Sequence, residues 1–256
     1  HEKIQFEQIG SSLWGDPNQL QEMKTTSFIA DVNITPIDRF SLLLSARTDN
    51  NSDFDSVLTG RAAITYLFGE DVLLRSSVGR GQKNPTFIER FGYFPGQFNG
   101  NPNLKPERST SYEFGINKTF LDSGLELDAT IFYQDLKDEI NGFVWDPVTF
   151  LSTAENMVGD SERKGFELVA NWKFRQNMDF GFSYSYIDSQ EFDAEGIGIR
   201  ELRRPKNMGS FNINHESLNK KWSSSFSSSY GGTRNDIFYP PWPESSQIVI
   251  LKNYWL

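Results

Sequence analysis

Apolar and polar side chains alternate along nearly the whole sequence, and this is the feature that most constrains its fold. In residues 110–120, Phe114 and Ile116 fall on one face of an extended chain, and Glu113 and Asn117 fall on the other. A period of two predicts β-strands with one apolar face. The same pattern predicts about twelve strands, near residues 2–9, 25–35, 40–50, 57–68, 72–83, 110–120, 125–138, 162–174, 179–190, 205–216, 222–234 and 247–256. No segment of comparable length has helical spacing, so we predict an all-β fold with antiparallel neighbours.

The connections between these strands alternate between short and long. Tight turns are predicted at residues 36–39, 69–71, 121–124, 175–178 and 218–221. Longer polar links lie near residues 10–24, 51–56, 84–109, 139–161, 191–204 and 235–246. An up-and-down arrangement then has all short turns at one end and all long loops at the other, as in outer-membrane barrels.

Strand length and the positions of aromatic residues favour a transmembrane barrel over a soluble fold. Many predicted strands have about 10–12 residues, against a usual length of about 5–6. Rings beside the tight turns would form an interfacial girdle; they are Tyr66, Phe68, Phe120, Phe174 and Trp222. The alternative is a soluble β-sandwich or propeller, which would bury the same apolar face internally.

Composition excludes several classes of function. The 256 residues include no Cys and two His, which excludes disulfides, thiolate nucleophiles and Cys-based or multi-His metal centres. The formal net charge of −9 argues against a nucleic-acid partner. No apolar run approaches the ~20 residues of a membrane helix. The sequence also has no nucleophile elbow, zinc-protease motif or P-loop, so we predict that the chain is not an enzyme and has no cofactor.

One group of oxygen-bearing side chains alternates as in calcium-binding loops: Asp49, Asn51, Asp53 and Asp55. The EF-hand pattern is not met, because Phe54 occupies the position that requires Gly and no Glu follows at the twelfth position. We interpret the segment as a solvated outer loop, with weak calcium binding as the alternative, and we predict no other metal site.

Residues 84–109 carry the motifs that resemble a known family. Asn84–Phe87 leads to Gly100–Ser109, which reads GNPNLKPERS, and then to the strand at 110–120. This resembles a signature of TonB-dependent outer-membrane receptors, in the branch that includes vitamin B12 and siderophore receptors. Further matching segments follow in the family's order, from residue 24 to the end of the chain. The residues that carry the motifs are Asn101, Pro102, Leu104, Pro106, Glu107, Arg108, Arg203, Arg204 and Pro205.

The resemblance implies a fold, a location and a function. It implies a multi-pass barrel of 22 strands with a folded plug inside, in the outer membrane of a Gram-negative bacterium. Residues 1–256 are then expected to be a partial barrel domain, truncated at both ends and without the plug. The implied function is active uptake of a scarce nutrient, cobalamin or a ferric siderophore, energised through TonB. Alternatives are a passive porin or adhesin barrel, or a soluble β-rich carbohydrate-binding domain.

The expected partners follow from the same resemblance. They are the TonB–ExbB–ExbD complex, reached through the plug, a small-molecule or metal-chelate ligand, and outer-membrane lipid. We predict that the ligand contacts side chains in the long loops, where aromatic rings can stack on it and polar groups can orient it: Phe87, Arg90, Tyr93, Phe94, Phe98, Asn99, Trp145, Tyr239 and Trp242. Mixed or acidic loops favour a neutral or bulky ligand such as a corrinoid. For Asn101–Ser109 we favour a scaffold role over ligand contact, because Pro102 and Pro106 fix the backbone path.

Overall fold

The structure is a computed structural model that describes residues 1–241 and 243–256. It contains one short helix, α1 (Phe87–Phe91), and eighteen strands. The strands are β1 (Glu2–Gln8), β2 (Gln19–Ile37), β3 (Phe40–Asn51), β4 (Val57–Phe68), β5 (Val72–Lys83), β6 (Phe98–Asn99), β7 (Glu107–Phe120), β8 (Leu125–Lys137), β9 (Ile140–Asp146), β10 (Leu151–Asn156), β11 (Ser161–Arg175), β12 (Met178–Phe192), β13 (Gly198–Arg200), β14 (Asn207–Glu216), β15 (Ser223–Gly231), β16 (Arg234–Phe238), β17 (Gln247–Leu251) and β18 (Tyr254–Trp255).

One large antiparallel sheet carries most of the chain. Its strands follow the order β1-β2-β3-β4-β5-β7-β8-β11-β12-β14-β15-β18, with β13 added beside β12. Each long strand therefore pairs with the next long strand along the chain, which confirms the predicted up-and-down arrangement. Within the described residues the pairing path runs from β1 to β18, and no pairing joins its two ends. No helix among these residues is long and apolar enough to cross a membrane.

The strand register gives the sheet one apolar and one polar face. Between β7 and β8, Phe114 lies opposite Ile131, and Asn117 lies opposite Asp128. A slip of one residue would move every side chain to the other face. The face that carries Phe114 and Ile131 is called the outer face below, and the face that carries Asn117 and Asp128 is called the inner face.

The outer face is exposed rather than packed against a second sheet. Phe114 is 47% exposed and Ile131 is 59% exposed. Among the described residues only Phe98, Leu104, Leu136 and Ala154 are buried hydrophobic side chains. A soluble sandwich would bury its apolar face between two sheets. The structure therefore supports the membrane-barrel interpretation, in which these side chains contact lipid.

The inner face carries hydrogen-bonded charges that suit a watery interior. The Arg75 guanidinium donates two 2.6 Å hydrogen bonds to the Asp128 carboxylate, a bidentate pair that extends from β5 to β8. It crosses Gly115 on the intervening strand, where a Cβ atom would lie 2.6 Å from the guanidinium. Glycine at this position thus leaves the space that the ion pair needs. Such a pair would be costly in hydrocarbon, so it indicates that this face points away from lipid.

The two ends of the sheet differ as the sequence predicts. The turns after β2, β4, β7, β11 and β14 are short, and this side is called the short-turn end. The opposite side, the long-loop end, carries the other connections. Aromatic rings cluster near the short turns: the Trp172 and Phe174 centroids are 4.8 Å apart, and the Phe174 and Phe180 centroids are 6.1 Å apart. This cluster occupies the position of an interfacial girdle.

The long loops contain more structure than the sequence predicts. Residues 84–109 contain α1 and β6, and residues 139–161 contain the whole hairpin of β9 and β10. Residues 235–246 include most of β16. Residues 247–256, predicted as one strand, form two: β17 pairs with β16 away from the main sheet, and β18 pairs with β15. These elements have two to seven residues, too few for alternation to identify them.

Candidate functional site

The long loops at one end of the sheet fold against each other into a small platform. The loop platform comprises α1, β6 and the β9–β10 hairpin, with β10 in the centre of a three-stranded sheet. Its core is formed by Phe98, Leu104 and Ala154, with Tyr93 and Ile140 packed against them. Because these loops have their own apolar core, their exposed side chains are held on a defined surface.

A capping box starts the helix of the platform. The Thr86 hydroxyl accepts a 3.3 Å hydrogen bond from the Glu89 amide, and the Glu89 carboxylate accepts one of 2.7 Å from the Thr86 amide. This reciprocal arrangement satisfies two donors that the first helical turn leaves without partners. It fixes the start of α1 and therefore the direction in which Arg90 and Phe91 point.

Two asparagines hold the GNPNLKPERS segment to the hairpin. Asn101 Nδ2 donates a 2.9 Å hydrogen bond to the Ala154 carbonyl. Asn156 Nδ2 donates to the Lys105 carbonyl at 2.9 Å and to the Asp138 carbonyl at 2.7 Å, and its Oδ1 accepts from the Lys105 amide at 2.8 Å. Leu104, between these contacts, is buried. The segment is thus engaged with neighbouring backbone, as the scaffold interpretation expects.

Arg90 is buried between the helix and the loop at residues 52–56. Its Nη1 lies 2.5 Å from Asp53 Oδ2, and its guanidinium carbon lies 4.8 Å and 4.7 Å from the ring centroids of Phe54 and Phe91. Burial raises the pKa of the Asp53 carboxyl, but the hydrogen bonds from Arg90 and Ser52 outweigh burial and lower this pKa below its ordinary value. Arg90 therefore connects two loops through a charged pair and two rings.

The other predicted ligand residues divide into packed and exposed groups. Phe87 stacks on Phe6 with a centroid distance of 5.9 Å, and Tyr93 packs on Phe98 at 5.6 Å. The exposed group carries three rings and one amide: Phe94, Trp145, Tyr239 and Asn99. Trp242 lies outside the described residues. Some of the predicted ligand residues therefore pack against other side chains of the loops, and the others face solvent.

Two further exposed rings on the hairpin were not predicted as site residues. Phe143 and Phe150 are each 69% exposed, and Phe150 lies 6.4 Å from Trp145. The signal for Phe143 was present, because it alternates with Trp145 within β9. Phe150 has a positive φ of 58° in the turn of the hairpin, and no sequence pattern marks it. Together with Trp145 they form an aromatic surface on the platform.

A charged network holds two long loops to the inner face of the sheet. It is called the wall anchor below. Arg163 on β11 donates a 2.9 Å hydrogen bond to Glu139 and two 3.1 Å hydrogen bonds to Glu201. Arg204 donates to Glu201 at 2.8 Å, and the Ser189 hydroxyl donates to the same carboxylate. One guanidinium on the wall thus joins the loop before β9 to the loop after β13.

The electrostatics of the anchor centre on Glu201. Burial raises the pKa of the Glu201 carboxyl, but the hydrogen bonds from Arg163, Ser189 and Arg204 outweigh it, so the pKa lies below its ordinary value. Glu201 therefore stays ionised, and the two guanidiniums compensate its charge.

The neighbouring arginine of the same motif points elsewhere. Arg203 has a positive φ of 60°, and its amide donates a 2.7 Å hydrogen bond to the Asn235 carbonyl. Its guanidinium lies 2.8 Å from Asp236 on β16. Arg203 contacts Asp236 on β16, whereas Arg204 contacts Glu201 in the wall anchor. The Arg203–Pro205 segment therefore connects the β16–β17 hairpin to the wall anchor.

The sequence profile of one protein family covers almost the entire chain. The family described as "TonB dependent receptor-like, beta-barrel" matches residues 5–255. This chain belongs to the TonB-dependent receptor family. Its barrel sheet accordingly lies in the outer membrane of a Gram-negative bacterium.

Individual relatives of this receptor agree with the family assignment. The vitamin B12 transporter BtuB of Photobacterium profundum is 31% identical over 202 residues, covering 75% of this chain and 30% of that protein. The iron-regulated outer membrane virulence protein of Vibrio cholerae is 24% identical over 226 residues, covering 80% and 34%. The siderophore receptor PirA from Acinetobacter baumannii has the same fold, with a TM-score of 0.74 at 18% identity, over 94% of this chain and 39% of that one. The receptor chain thus spans about a third of the length of these relatives.

Two carboxylates of the receptor's oxygen-rich segment already have hydrogen-bonding partners. The Asp49 carboxylate accepts hydrogen bonds from Arg47 at 2.8 Å and from Ser27 at 2.5 Å, and Asp53 is paired with Arg90. Within the described part of the chain, no group of three or more His, Cys, Asp or Glu side chains is arranged to hold a metal ion. The geometry gives no support to calcium binding by Asp49, Asn51, Asp53 and Asp55.

Proposed function

We propose that the whole protein actively takes up a scarce nutrient across the outer membrane, energised by TonB–ExbB–ExbD through a plug. This chain would supply part of the barrel wall and several ligand-recognising loops. The observation that carries the proposal is the loop platform: in a member of this receptor family, exposed rings stand on a structured surface that the wall anchor holds to the barrel. A general porin needs no such recognition surface.

The exposed side chains of the platform, together with Tyr239 in the loop after β16, are the proposed ligand contacts. Trp145 is 60% exposed and Tyr239 is 70% exposed, so their rings are available to stack on a flat or apolar ligand. Phe94 adds a third exposed ring, and the Asn99 amide can donate and accept hydrogen bonds. Arg90 and Phe98 are proposed to support these contacts from below, because both are buried and already engaged.

Charge favours a neutral or bulky ligand over a strongly anionic one. The chain carries 34 acidic and 25 basic residues. Arg90 of the platform and the two arginines of the wall anchor, Arg163 and Arg204, are paired with carboxylates. An anionic chelate would approach against this field. The vitamin B12 transporter among the relatives supports the same choice. We therefore propose a corrinoid as the first ligand to test and a ferric siderophore as the second.

The test uses the full-length receptor in cells that lack their own cobalamin and siderophore receptors. We expect it to restore growth on limiting cobalamin only when TonB is present. Growth that persists without TonB would contradict active transport and favour a passive porin. Failure on both ligand classes would refute the proposed nutrient class.

Direct binding of cyanocobalamin by the purified receptor tests the platform itself. A stacked ring is worth about 0.5–1.5 kcal/mol beyond its buried area, so Trp145→Ala should weaken binding by roughly tenfold. The matched control is Leu218→Ala, which removes an exposed apolar side chain at the short-turn end. Equal affinities for both variants would contradict ligand contact at Trp145.

A further inference from the structure

A cleft of about 520 Å³ opens at the short-turn end of the sheet, far from the loop platform. It lies between the turn that joins β11 to β12 and the turn that joins β14 to β15. Arg175 and Asn177 line it from the first turn, and His215, Asn219 and Trp222 line it from the second. No carboxylate is among its lining residues within the described part of the chain.

The cleft opens on the outer face, at the level of the aromatic girdle. His215 continues the outer-face row of β14, two residues beyond Ile213, and its ring lies 4.9 Å from that of Trp222. The Arg175 guanidinium carbon lies 5.2 Å from the Phe174 ring centroid. Because Phe174 is one of the outer-face rings, Arg175 also reaches toward the membrane. Rings and basic side chains at this depth meet lipid headgroups.

One basic side chain lines this cleft and two more belong to the turn beside it, on a chain whose overall charge is −9. Arg175 lines it, and Lys220 and Lys221 belong to the turn that forms its second wall. None of the three is in an ion pair among the described residues, whereas Lys118 at the same end lies 2.7 Å from Asp71. Neighbouring like charges repel, so an anion in the cleft would stabilise them.

Hydrogen bonds between the turns hold the cleft open. Asn177 Nδ2 lies 3.2 Å from His215 Nε2 and donates a 2.8 Å hydrogen bond to the Glu216 carbonyl. Asn219 Oδ1 accepts from the Ser217 hydroxyl at 2.9 Å and from the Lys221 amide at 3.1 Å. The turns are therefore positioned before any ligand arrives. Glu216, the one acidic residue of the second turn, contributes its backbone and does not line the cleft.

We propose that this cleft binds the phosphate headgroup of an anionic phospholipid in the leaflet that the short turns face. Arg and Lys are suited to phosphate oxygens, and basic pockets at membrane interfaces bind anionic headgroups. A lipid fits better than free phosphate, because Leu218 and Trp222 beside the cations are exposed apolar side chains. These can contact the glycerol and the first methylenes of the acyl chains.

The experiment is native mass spectrometry of the full-length receptor, delipidated in detergent and titrated with phosphatidylglycerol or phosphatidylcholine. We expect one phosphatidylglycerol to be retained in preference to phosphatidylcholine. The double variant R175Q/K221Q should bind phosphatidylglycerol about 30-fold more weakly, since each interfacial cation contributes about fivefold. The matched control is R39Q, which removes a cation from the turn after β2 at the same end. It should bind as the unmodified receptor does.

Several results would overturn the proposal. Equal retention of the two lipids by the unmodified receptor would do so without any variant. A loss of about fivefold in R39Q, the effect of one cation near any anionic surface, would indicate general attraction rather than a site. Displacement of the lipid by millimolar inorganic phosphate would assign the cleft to free phosphate. Heat-modifiable migration of both variants checks that their barrels have folded.

Discussion

The wall anchor offers a sharp quantitative test through the substitution Arg163→Gln. Arg163 makes three hydrogen bonds to carboxylates, two to Glu201 and one to Glu139. Side-chain exposures of 20% for Arg163 and 13% for Glu201 show that solvent replaces these contacts only in part. Glutamine is uncharged and its side chain is shorter than that of arginine, so the substitution removes both the charge and the terminal nitrogen that contacts Glu139 and Glu201.

The expected cost follows from this geometry. A hydrogen bond to a charged group contributes about 1.5–3 kcal/mol. Glu201 keeps Arg204 and Ser189 as partners, so the loss is smaller than the sum of the three bonds. We expect loop opening to become easier by about 2–4 kcal/mol, which corresponds to an increase of about 30- to 1,000-fold in the opening equilibrium.

Hydrogen exchange of backbone amides in the full-length receptor measures this opening. The Glu201 amide donates to the Ser189 carbonyl, and the Met157 amide donates to the Glu139 carbonyl, so both report on the anchored loops. Their exchange should accelerate by the factor given above, whereas amides in the middle of β11 should not change. The control is Lys164→Gln, the next residue, whose partner Glu162 lies at 3.8 Å. Equal exchange in the two variants would refute the anchoring argument.

Three further predictions concern the outer face, the platform core and pH. Phe114→Arg should destabilise the barrel by about 2–4 kcal/mol in a denaturant titration. Phe114 lies six residues from the short-turn end of β7, which places it about 15 Å into an apolar band of about 25 Å. Asn117→Arg should cost little in the same titration, because Asn117 contacts the acidic side chains of Glu126 and Asp128. Phe98→Ala should cost about 3–5 kcal/mol locally, seen as protease sensitivity of residues 139–157 in an intact barrel. Because the pKa of Glu201 is lowered in the folded state, its stabilisation persists at neutral pH and is lost only as pH falls below about 4.3. The protection factors of the loop amides, which compare exchange with the intrinsic rate at the same pH, should therefore fall there and not between pH 7 and 5.

The sheet could be predicted from the sequence because its signal is repeated. The strands at 57–68 and 72–83 are found with the predicted bounds. The exposed Phe114 also has the predicted orientation. Each long strand presents five or more alternating positions, and a one-residue slip would exchange both faces, so few registers satisfy the pattern.

The loop platform could not be predicted in the same way. Phe98 was expected to face a ligand as part of an aromatic loop, and it is in fact the centre of a small core against Leu104 and Ala154. Burial there depends on contacts between loops about fifty residues apart, such as Asn101 with Ala154. Alternation within a segment carries no information about such contacts. The wall anchor was missed for the same reason, because its members come from four separate segments.

Accessibility along β7 is the measurement that tests the central claim most directly. The chain has no cysteine, so single cysteines can be introduced from Ser109 to Phe120 in the full-length receptor and spin-labelled in bilayers, omitting Gly115. We predict that the collision rate of the spin label with oxygen peaks at positions 112, 114 and 116. At positions 113 and 117, which face the barrel interior, the collision rate with oxygen should be low. Equal shielding at all positions, or a phase shifted by one residue, would contradict a sheet whose apolar face contacts lipid.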